Sequence, residues 1–114
     1  MCNQINKRFD KLEINNINKQ ELKFKDAKYI GQVVNGLAEG KGKAYCINGD
    51  RYEGEWRNNK QEGKGIFYFN SGSKYDGEWK DDKKEGKGII YFNDGEKYDG
   101  EWKDDKKISN CYLF

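Results

Sequence analysis

Polar and apolar positions alternate along much of this chain. In Tyr52-Glu53-Gly54-Glu55-Trp56 both rings and the glycine fall on one side of an extended strand, and both carboxylates on the other. Arg57-Asn58-Asn59-Lys60-Gln61-Glu62 is polar and turn-forming. Alternation resumes from Gly63 to Phe69, which reads as the return strand of a hairpin. Asn70-Ser71-Gly72-Ser73 then reverses the chain again, with Gly72 suited to a positive φ.

The same phrase recurs as Tyr75-Asp76-Gly77-Glu78-Trp79 and Tyr98-Asp99-Gly100-Glu101-Trp102, with a worn copy at Tyr29-Ile30-Gly31-Gln32-Val33. Its first residues are 29, 52, 75 and 98, a constant step of 23. Glu39-Gly40-Lys41-Gly42, Glu62-Gly63-Lys64-Gly65 and Glu85-Gly86-Lys87-Gly88 keep that step, as do the turn glycines Gly49, Gly72 and Gly95. A fixed period of this length marks a repeat array. The three interlocked phrases resemble the MORN motif, the membrane occupation and recognition nexus, over residues 22–114. Val33 stands where that family has an aromatic, and Ile108-Ser109-Asn110-Cys111 replaces the last Glu-Gly-Lys-Gly.

The expected fold is all-β: a single-layer antiparallel ribbon of β-hairpin repeats, seven or eight strands wide. One hairpin cannot repay the entropy of ordering its own backbone, so stability belongs to the stacked array. Parity places Trp56 opposite Gly63, Gly54 opposite Gly65 and Tyr52 opposite Phe67, with Glu55 facing Lys64 on the other side. Columns of Tyr52, Tyr75 and Tyr98 and of Trp56, Trp79 and Trp102 result. Tyr45, Tyr68 and Tyr91, beside Ile66 and Ile89, point to the opposite face.

The expected division is a tail over residues 1–21 and an array over 22–114, with repeats at 29–51, 52–74, 75–97 and a partial 98–114. Leu22 and Phe24 occupy the places of Tyr45 and Ile47 one period later, so residues 22–28 read as the last strand of a missing repeat. In the tail, Ile5, Phe9 and Leu12 follow helical spacing. A short helix capping the open sheet edge and a flexible tail both remain open.

Mean hydropathy of −1.22 with 37% charged residues ordinarily signals disorder, but the 15% aromatic content sits at repeating positions. Net charge is +2, divided as +3 over residues 1–28 and −1 over the rest. An array so nearly neutral lacks the basic footprint of a nucleic-acid binder. Histidine is absent, and Cys2, Cys46 and Cys111 form no pairable or metal-ligand cluster. The expectation is no cofactor, no small-molecule substrate and no enzyme activity, because the carboxylates recur once per repeat without a nucleophile or pocket. No apolar run suits a transmembrane span or signal peptide, so a reducing, cytoplasmic compartment is expected.

The resemblance implies a non-catalytic scaffold subunit that binds protein partners in a cytoskeletal or ciliary assembly, with a membrane-peripheral adaptor as the alternative. Candidate partner-binding residues are the Tyr52, Tyr75, Tyr98 and Trp56, Trp79, Trp102 columns together with Tyr45, Tyr68 and Tyr91. For the two columns, docking and internal packing are both open readings. Lys41, Lys64 and Lys87 are candidate contacts to phospholipid, against the reading of a solvated face neutralised by glutamates. Cys111-Tyr112-Leu113-Phe114 fits a prenylation pattern at Cys111, in competition with a final strand.

Overall fold

The computed structural model describes residues 19–108, which form nine strands and no helix. They are β1 (Gln20–Lys23), β2 (Ala27–Val34), β3 (Leu37–Cys46), β4 (Arg51–Arg57), β5 (Lys60–Tyr68), β6 (Lys74–Lys80), β7 (Lys83–Tyr91), β8 (Lys97–Lys103) and β9 (Lys106–Lys107). Each strand pairs antiparallel with its sequence neighbours in one open sheet, ordered β1 to β9. The all-β, single-layer hairpin array expected from the alternation is therefore the observed fold. The helical spacing at Ile5, Phe9 and Leu12 lies outside the described residues.

Tight turns close the hairpins at Asn58-Asn59, Asp81-Asp82 and Asp104-Asp105, where φ is +50 and +71, +49 and +69, and +51 and +72. Two successive left-handed residues make the primed turn whose twist matches the flanking strands. Asn and Asp tolerate this conformation better than other side chains. Because the turn needs only two residues, β5 begins at Lys60, before the expected start at Gly63.

The register confirms Tyr52 opposite Phe67 and Gly54 opposite Gly65, but it corrects the position of Trp56, which faces Gln61. The shift is a bulge between Gly54 and Trp56. Gly63 takes φ +79 there and faces Trp79 of the next hairpin instead. Glu55 does not form the expected cross-strand ion pair with Lys64. Its Oε1 accepts the Lys64 backbone N–H at 3.0 Å, an amide that the bulge has taken out of the ladder. Glu78 accepts from Lys87 N at 3.2 Å, and Gln32 accepts from Lys41 N in the first repeat.

A second correction concerns β1. Leu22 faces Tyr29, as Ala44 faces Tyr52 and Phe67 faces Tyr75. It is thus the counterpart of Ala44 and not of Tyr45, and it is buried on the ring side. The short Phe24-Lys25-Asp26 link between β1 and β2 moves the frame by one residue, which reverses the face of every side chain.

Seven glycines face one another in a row across the strands: Gly31, Gly42, Gly54, Gly65, Gly77, Gly88 and Gly100. A Cβ on Gly54 would overlap the backbone of Gly65, and one on Gly65 would overlap the Tyr52 ring. The strands converge over this row on the ring side, and only glycine permits it.

Two substitutions test these local causes by urea unfolding. Gly65→Ala should cost about 3 kcal/mol or more through overlap with Tyr52. Glu55→Gln should be nearly neutral, as Gln32 already fills that role, whereas Glu55→Ala should cost about 1 kcal/mol for the lost bond to Lys64 N.

Candidate functional site

The rings form a single edge-to-face chain along one face of the sheet. Trp56 sits 5.0 Å from Tyr29 and 5.2 Å from Tyr52, Trp79 5.3 Å from Tyr52 and 5.2 Å from Tyr75, and Trp102 5.2 Å from Tyr75 and 5.7 Å from Tyr98. Interplanar angles of 78–90° put the positive edge of one ring against the negative face of the next. Each tryptophan bridges its own repeat to the one before it.

Polar atoms of the rings are satisfied inside the chain. The indole N–H of Trp56, Trp79 and Trp102 donates at 3.1 Å to the carbonyls of Gly42, Gly65 and Gly88. The hydroxyls of Tyr52 and Tyr75 donate at 3.0 Å to the carbonyls of Glu55 and Glu78, and Tyr29 donates to Gln32. Tyr98, at the last full strand, turns to Ile108 O instead at 3.2 Å. Burial pushes the phenols of Tyr29 and Tyr52 well above their ordinary range, with nearby carboxylates adding to it, and pushes Tyr75 up to about 12.

The repeated acids have structural partners too. Glu39 and Glu62 accept backbone N–H groups from Asn58 and Asp81 at 3.1 and 3.2 Å, clamping each turn to the preceding hairpin. Side chains of Asn59, Asp82 and Asp105 accept at 2.8 Å from Ala38 N, Gln61 N and Lys84 N, and complete the clamp. Among the described residues no group of His, Cys, Asp and Glu is arranged to hold a metal ion.

The opposite face carries three rows that cross the strands. In the first, Tyr45, Tyr68 and Tyr91 alternate with Lys28, Arg51, Lys74 and Lys97. Arg51 lies 3.9 Å over the Tyr68 ring, and Lys74 reaches Tyr91 at 5.2 Å. The second row contains Ile30, Lys43, Glu53, Ile66, Asp76, Ile89 and Asp99. In the third, Lys41, Lys64 and Lys87 face Glu55, Glu78 and Glu101.

The candidate residues thus divide between the faces. Tyr52 and Tyr75 are 0% exposed and Trp56, Trp79 and Trp102 are 5–8% exposed, so these columns serve internal packing, and Tyr98 is half-buried against them. Tyr45 is 39% exposed, and Tyr68 and Tyr91 are half-exposed on the outer face. Lys41, Lys64 and Lys87 are exposed there as well. Cys111 lies outside the described residues. Sequence reasoning missed the cations between the outer tyrosines. Their signal was present, since Lys28, Arg51, Lys74 and Lys97 each precede the first tyrosine of the repeated phrase.

The family model of the MORN repeat matches residues 29–51, 52–74, 75–97 and 98–107. A search of curated proteins gives no match.

The buried phenols set an alkaline limit on stability. Their pKa values are raised in the folded chain, so the neutral form is favoured by folding. That contribution is intact below about pH 10, the ordinary tyrosine value, and is lost as pH rises through the folded values. The urea midpoint should stay level from neutrality to that point, then fall towards the Tyr75 value of about 12. A midpoint unchanged over that climb would contradict the burial of these hydroxyls.

Proposed function

The chain belongs to the MORN-repeat family, a non-enzymatic repeat motif that binds proteins or membranes, and from that premise we propose that it is a scaffold subunit docking protein partners on its outer face. One observation carries this reading. The inner rings are consumed by packing, while Tyr45, Tyr68 and Tyr91 stand partly exposed between cations on the other side. Their strands alternate, so successive tyrosines are spaced about 10 Å apart. An amphipathic segment laid across the strands meets an aromatic ring at each step and a charged group between.

Tyrosines with adjacent cations supply large contact area and hydrogen-bonding ends at low entropic cost, which suits protein recognition. A planar anionic membrane is less favoured, because Glu53, Asp76 and Asp99 share that face with the tyrosines. A cytoskeletal or ciliary assembly is the setting suggested by the family resemblance.

Photo-crosslinking in the expressing cells tests the reading. A benzophenone side chain introduced at Tyr68 or Tyr91 should give discrete protein adducts, and one at Lys83, the strand end beside the Asp81-Asp82 turn, should not. Adducts to lipid alone, or none from the outer positions, would reject protein docking on this face.

A further inference from the structure

The outer face is not uniform in charge. In the second repeat its positions are Arg51, Glu53, Glu55, Lys64, Ile66 and Tyr68, and in the third Lys74, Asp76, Glu78, Lys87, Ile89 and Tyr91. Both sets are neutral overall. The corresponding positions of the first repeat are Lys28, Ile30, Gln32, Lys41, Lys43 and Tyr45, which sum to three positive charges. Both carboxylates of the later repeats have become neutral, and an isoleucine has become Lys43. Glu21 and Lys23 on β1 face the same way and cancel.

A hollow of about 680 Å³ opens over this repeat. Ile30 and Tyr45 give it an apolar lining between glycine backbones, and Lys19, Lys41 and Lys43 stand around it. Glu53 is the one acid among its described lining residues, and its carboxylate is held by Arg51 at 3.1 Å. Lys43 lies across from this Glu53 and Lys41 across from Glu55, whose Oε1 is taken up by the Lys64 amide, so Lys19, Lys41 and Lys43 outnumber the acids around the opening.

We propose that this hollow is the anchoring site for an acidic protein segment that carries an apolar side chain between carboxylates. The apolar group would enter against Ile30 and Tyr45, and the flanking carboxylates would meet Lys41, Lys43 and Lys19. A local segment fits better than a lipid surface. A flat anionic plane touching this repeat would also lie over Asp76 and Asp99 further along the sheet, where the neutral second and third repeats add no attraction. The assignment rests on the partner-binding reading and names its first contact.

Fluorescence anisotropy of the full chain with a labelled peptide of repeated Glu-Glu-Leu units, at physiological salt, tests it. The peptide should bind, and Lys41→Glu combined with Lys43→Glu should weaken it at least about tenfold. Ile30→Glu, which restores the acid of the later repeats, should weaken it in the same direction. Lys64→Glu with Lys87→Glu, an equal change of charge elsewhere on the same face, should alter affinity by less than about twofold. An unchanged urea midpoint confirms that each variant folds, as all four lysines are exposed. No binding, equal weakening by the two lysine pairs, or binding only to phosphatidylserine vesicles would each overturn the assignment. If the peptide fails while protein crosslinks from Tyr68 and Tyr91 persist, only the anchoring site is lost. Failure of both removes the docking reading itself.

Discussion

Edge-to-face contact between tyrosine and tryptophan is the constraint on which this fold depends. Among the described residues the sheet has no second layer to cover its apolar face, so its rings cover one another. They do so because each indole lies between tyrosines of two repeats, from Tyr29 through Trp56, Tyr52, Trp79, Tyr75 and Trp102 to Tyr98. Glycine is the other half of the arrangement. The row from Gly31 to Gly100 lets the strands close beneath the rings, and the glycine carbonyls take up the indole N–H groups. Each repeat thus holds its neighbour through dispersion, ring quadrupoles and one directed hydrogen bond, with the turn clamps adding polar links at the rim.

Much of this was legible in the residues. The 23-residue step, the alternating phrase and the glycine pairs predict the hairpins, their order and the facing of Tyr52 with Phe67. Two features were not legible from parity. The bulge at Gly63 moves the partner of Trp56 by two residues, from Gly63 to Gln61, a shift that leaves the alternation unchanged, and its sign is a left-handed φ that a glycine reveals only in coordinates. The short link after β1 moves Leu22 to the buried face, a one-residue difference that the similar side chains of Leu22 and Phe24 concealed. At the candidate site, residue type alone could not divide the aromatics between core and surface. Tyr52 and Tyr68 belong to the same repeat, and only the sheet's geometry buries one and exposes the other.

The strictness of the repeat also explains why surface chemistry is concentrated in its departures. Glu55 and Glu78 occupy bulge amides, Glu39 and Glu62 occupy turn amides, and Asp82 and Asp105 tie hairpins together. These acids keep their places for backbone satisfaction. Ile30 and Lys43 have no such duty in the interactions described, and they give the first repeat its distinct charge. Periodicity builds the surface, and the aperiodic positions differentiate it.

The rings bind separate hairpins into one cooperative unit, and hydrogen exchange on Trp79→Ala tests this, because Trp79 lies in the middle of the chain of rings. If the rings couple the hairpins, amides of β2 and β8 lose protection along with those of β5 and β6, since removing one ring weakens the array as a whole. Loss confined to β5 and β6, with β2 and β8 as protected as before, would show that the hairpins are stable separately and would contradict it.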